Sequence, residues 1–186
     1  MFDEDIKIAD FSDKTLKMAD KPKPAQGAHD EYDIENAKGN TVKAKEFGAK
    51  LALLLVDNLD RFSAGEEESE NTEIAVQRGI LMTFAAIVCI ENEIKSSVVS
   101  QIAENSFNEE LQQNAPQLYY AVGASGALSF YYLAYRRGGE VDRRIGQTFA
   151  MLCSHDGDSV YQELGEAIYC WFLSYAVDQL KESGIV

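Results

Sequence analysis

Four of the six arginines in this chain fall within nine residues, Arg136-Arg137-Gly138-Gly139-Glu140-Val141-Asp142-Arg143-Arg144. A guanidinium presents a rigid fork of donors that matches a carboxylate or a phosphate. Backbone N–H groups at a helix start, just after two glycines, add further donors for an anion. Arg136, Arg137, Arg143 and Arg144 are therefore candidate anion-binding residues, suited to a nucleotide, a small phosphorylated or carboxylated molecule, or an acidic partner. A purely structural reading covers the same residues and is the simpler one. Arg136 and Arg137 neutralise the C-terminal end of one helix, Gly138 terminates it, and Arg144 pairs with Glu140 one turn back.

His155-Asp156-Gly157-Asp158 holds the next set of chemistry-bearing residues. His155, Asp156 and Asp158 are candidate ligands for a hard metal, or parts of an acid–base site. A histidine followed by an aspartate is also the core of the HD phosphohydrolase motif. That motif needs further histidines, and the only other one here is His29. The turn reads more simply as a helix stop, a glycine and the N-cap of the next helix. Carboxylate-bridged di-metal bundles need Glu-x-x-His pairs, which are missing, so no metal is assigned. Glu163 with Glu166, and Glu67 with Glu70, have the acid spacing used for Mg²⁺ in helical pyrophosphatases, but no second acidic pair follows Glu163 and Glu67 lies in a charge run. Glu91 and Glu93, at the end of an apolar helix, read as exposed. There is no Gly-rich phosphate loop and no nucleophile elbow. No catalytic residue and no cofactor can be assigned.

Composition narrows the partners. With 31 acidic against 17 basic residues, the formal net charge is −14. Such a chain repels phosphate backbones, so a nucleic-acid partner is not expected. A cationic partner would be attracted. Cys89, Cys153 and Cys170 stand singly in apolar stretches, which suits three reduced, buried thiols. The N-terminal residues show no basic and apolar pattern of a secretory signal, and the protein reads as cytoplasmic.

These residues must be positioned by helices. Phe47, Leu51, Leu54, Leu55, Asn58 and Phe62 recur at helical spacing in a first helix from Thr41, with Glu46–Lys50 and Asp57–Arg61 as i, i+4 pairs on the other face. A second helix spans about Thr72 to Glu93 and is uncharged from Gly79 to Ile90. Val99, Ile102, Ala103, Phe107 and Leu111 mark a third. Asn114 to Tyr135 has no charged residue over a length that could cross a bilayer, for which roughly 20 apolar residues suffice. Its middle, Ala121 to Ala127, is too weakly hydrophobic for that. It reads instead as the buried central helix of a soluble bundle. Val141, Ile145, Thr148, Phe149 and Leu152 mark a fifth helix, and Leu164, Ile168, Trp171, Phe172 and Tyr175 a sixth.

The expected fold is all-α: a single compact bundle of five or six helices over residues 41–186, preceded by an irregular acidic segment over residues 1–40. In that segment Phe2, Ile6, Ile8, Phe11 and Leu16 are placed to dock on the bundle or on a partner. The expected function is that of an acidic binding or regulatory module acting through a protein partner or self-association. The alternative is an enzyme or ligand-binding protein gripping a small anion with the Arg136–Arg144 cluster.

Overall fold

The computed structural model describes residues 26–63 and 70–185. Those residues form eight α-helices and no strand: α1 (Gln26–Ala37), α2 (Asn40–Ser63), α3 (Glu70–Glu93), α4 (Ser97–Asn114), α5 (Pro116–Ser125), α6 (Ala127–Arg136), α7 (Val141–Leu152) and α8 (Ser159–Ser183). The all-α class holds, with more helices than the five or six expected. The N-terminal apolar residues Phe2 to Leu16, the Asp57–Arg61 pair and the Glu67–Glu70 pair involve residues or side chains outside those described.

Two departures explain the added helices. The segment expected to be irregular contains α1, which is tied down by polar contacts rather than by an apolar stripe. Glu31 accepts from Ser96 at 2.8 Å, and Asn36 accepts from Thr41 at 2.7 Å. Glu35 accepts from Lys38 at 2.8 Å and Asn40 at 2.6 Å. The Lys38 ammonium, then the Asn40 amide, hold the Glu35 carboxyl below its ordinary range. The second departure is the uncharged stretch expected as one central helix. Gly126 adopts φ 65° there and splits it into α5 and α6. Only Leu118, Ala127, Tyr131 and Ala134 of the two are buried, whereas Tyr120, Phe130 and Leu133 face solvent.

The centre of the bundle is α3. Every residue from Gly79 to Ile90 is buried, because a helix with no polar face must be covered on all sides. Within the described residues, Glu73–Glu93 is also long and apolar enough to cross a membrane by length and composition. Here α8 packs along it, α2 and α4 form a tight pair, and α7 lies on α8. Phe84 is the hub. Its ring lies 5.4 Å from Tyr131 and 6.2 Å from Tyr169, both stacked, and meets Tyr132 edge-on at 5.2 Å.

Helix ends follow their sequence signals. Ser96 caps α4 and accepts from Val99 N–H, Pro116 opens α5, and Asp158 caps α8 by accepting from Val160 N–H at 2.8 Å. Gly184 ends α8 at φ 64°, and its carbonyl accepts from Lys43. Lys50 reaches across to Glu182 of α8 at 3.8 Å, not to Glu46 on its own helix.

Two of the helix pairs approach so closely that only glycine fits. A Cβ on Gly146 would run into the Gln162 carbonyl oxygen of α8, and one on Gly48 into the Ala103 carbonyl oxygen of α4. Gly146→Ala should therefore lower stability by about 1–3 kcal/mol, the usual range for forcing atoms into a packed interface. Gly123→Ala, on the exposed side of α5 with open space around it, should raise stability by roughly 0.5–1 kcal/mol through helix propensity. Urea unfolding of both variants checks the pair; equal effects of the same sign would contradict this packing.

Candidate functional site

The four clustered arginines separate as α6 ends and α7 begins. Arg136, at the exposed end of α6, lies 5.8 Å above the Tyr132 ring. Arg143 pairs with Glu140 at 3.3 Å in full solvent exposure, and it is this arginine, not Arg144, that takes the Glu140 carboxylate. Arg137 and Arg144 come together. They line one open cleft of about 220 Å³ with Ala134, Gln147, Thr148, Met151 and Asp156.

The backbone explains that convergence. Gly138 and Gly139 both take left-handed φ, 65° and 69°, turning the chain sharply between α6 and α7. Arg144 is one turn into α7 and folds back, so that a Cβ on Gly139 would stand 3.5 Å from both of its terminal nitrogens. Its Nη1 is out of contact with solvent and has no hydrogen-bonding partner among the described residues. An unpaired buried donor of this kind costs on the order of 1–3 kcal/mol. Asp156 enters the same cleft from the turn between α7 and α8, where Gly157 sits at φ 81°.

The other residues of that turn are engaged elsewhere. His155 stacks flat on Tyr161, ring centroids 3.7 Å apart, and Asp158 is occupied by its capping bond. Among the described residues no group of three or more His, Cys, Asp or Glu side chains is placed to hold a metal ion. Burial pushes the thiols of Cys89 and Cys153 up to about 12, which makes them poor nucleophiles.

A second cluster joins the end of α3 to α4 and α6. Tyr132 donates to Glu91 at 3.2 Å. Glu104 of α4 is partly buried, and that desolvation followed by the Glu91 charge raises its carboxyl above the ordinary value. A raised acid stabilises the fold only while it is protonated. Glu104→Gln should therefore gain up to about 0.5 kcal/mol at pH 7, small because the site is partly solvated. That gain should vanish as pH falls below the ordinary value of 4.5. Stability against pH for both proteins reads this directly, and a Glu104→Gln variant less stable than the parent at pH 7 would contradict it.

The third feature runs along the outside of α8. Val160 (69% exposed), Leu164 (37%), Ala167 and Trp171 (44%) lie along its outward side. At ~100° per residue they share an arc of about 60°. Gly165, Tyr169, Phe172 and Ala176 occupy the opposite arc and are buried. Leu164 and Trp171, which mark the sixth helix in the sequence, are thus on its exposed side. Helix α8 carries two apolar arcs, and a wheel drawn from the sequence shows both without saying which faces inward. Beside the outer arc lie Glu163 and Cys170, which is exposed rather than buried as expected; partial burial, then Asp142 and Glu166, push the Cys170 thiol up. Glu140, Asp142 and Glu166 also line a neighbouring open cleft with Arg143.

Gln147, Thr148, Met151 and Ala134 could not have been named as cleft residues from spacing, since α6, α7 and the α7–α8 turn meet there only through the fold. No family model, no curated protein and no solved structure matches this chain.

Proposed function

We propose that this protein is an acidic helical binding module whose docking face is the outer side of α8, and that its partner is a basic amphipathic helix. One observation carries the reading: the centre of the solvent side of α8 is apolar, where an ordinary surface helix places charges. Aromatic anchors are enriched in interfaces, and Trp171 is the half-buried, half-offered kind that acts as one. Glu163 at the edge of this face and Glu140, Asp142 and Glu166 in the adjoining cleft, together with a net charge of −14, select a cationic partner and would accelerate its capture. A second copy of the chain would bring the same acids against themselves.

Trp171 is the only tryptophan, so its fluorescence reports the face directly. A synthetic amphipathic helix of leucine and lysine should shift its emission to the blue and bind in roughly the micromolar range, more weakly as salt rises. Its leucine–glutamate counterpart should leave the emission unchanged. Leu164→Ser should weaken the basic peptide about tenfold, a loss of ~1.4 kcal/mol. The proposal fails if both peptides behave alike, or if emission in the free chain shifts with its own concentration, which would mean a second copy covers the face. It fails equally if emission is already blue-shifted at high dilution, which would mean the chain covers the face itself.

A further inference from the structure

The cleft between α6, α7 and the α7–α8 turn is separate from the outer arc of α8 and has chemistry of a different kind. Arg137 and Arg144 line it without an ion-pair partner among the described residues, while the neighbouring Arg143 has one. The buried Nη1 of Arg144 has no acceptor among the described residues. Thr148 has its hydroxyl hydrogen committed to the Arg144 carbonyl at 2.9 Å, which anchors the turn of α7 that carries the arginine. Ala134 is buried at the cleft wall and Met151 is half-exposed there, so one side is apolar. Asp156 supplies one negative charge.

We infer that this cleft binds a short-chain monocarboxylate. Its carboxylate lies in the forks of Arg137 and Arg144, and its hydrocarbon end lies against Ala134 and Met151. A guanidinium offers a carboxylate parallel N–H bonds, and neither Arg137 nor Arg144 spends its fork on an ion pair among the described residues. Two arginines against one aspartate leave a single positive charge, which a monoanion neutralises. A phosphate dianion would leave excess negative charge beside Asp156 in a chain already strongly acidic. The cleft, about 220 Å³ and open to solvent, has room for a small molecule of this kind.

The test titrates the full chain with sodium butyrate and, separately, with inorganic phosphate at constant ionic strength, following backbone amide signals by NMR. Butyrate should move the signals of residues 144–148 and 156 with an affinity on the order of millimolar; phosphate should bind at least about tenfold more weakly. Arg144→Met should abolish butyrate binding. Should that variant fail to fold, Arg137→Gln on the exposed rim carries the same test and should weaken binding several-fold. Arg143→Gln, whose parent side chain is paired with Glu140, should bind as the parent does. Asp156→Asn should bring phosphate up toward butyrate. The inference is overturned if phosphate or chloride moves the same signals equally, if Arg137→Gln binds butyrate as well as the parent, or if butyrate moves nothing up to about 50 mM, where even a weak millimolar complex is populated.

Discussion

Between Gly79 and Ile90 helix α3 has no charged residue and no side that water could occupy, and all twelve of those residues are buried. A helix of this kind cannot lie on the outside of a soluble domain. It must be wrapped, and a single neighbour covers only one of its sides. The rest of the fold is the set of helices that do the wrapping. α8 runs along one flank, the α2–α4 pair packs on another, and α5, α6 and α7 add smaller contacts. Phe84 shows how this works, since its ring is met by tyrosines from α6 and α8 on different sides.

Wrapping one helix with six others demands close approach in the outer layer. Glycines meet that demand where they face backbone or an aromatic ring: Gly48 against α4, Gly146 against α8, and Gly165 against Phe149. With their contacts spent on the interior, the outer helices are free to vary on their far sides. α8 is the extreme case, because its inner arc already satisfies α3 and α7. Its outer arc of Val160, Leu164, Ala167 and Trp171 is then left largely or half in solvent. Apolar surface left in solvent, set beside acids, is the physical basis for reading the protein as a binding module.

The turns that join the outer helices place the charges. Two left-handed glycines between α6 and α7 split the arginine cluster, sending Arg143 to Glu140 and bringing Arg144 to Arg137. Adjacent residues on a helix point about 100° apart, and Arg143 and Arg144 leave α7 toward different neighbours. The clustering in sequence and the clustering in space are different facts.

Much of the fold was legible in the residues themselves. The helical period of Phe47, Leu51 and Leu55, the stripe from Val99 to Leu111, the caps at Ser96 and Asp158, and the uncharged run in α3 are local signals. Local signals survive because a helix makes its hydrogen bonds within itself. The sequence by itself determined the helical class and most of the helix starts and stops. Tertiary structure decided which of two apolar arcs of α8 went inward, that the stretch from 114 to 135 broke at Gly126, and that α1 formed at all on contacts to Ser96, Asn40 and Thr41. It also decided which arginines share a cleft with Asp156. Each of these depends on groups distant along the chain meeting in space, and the energy that selects among them exists only once the other helices are in place.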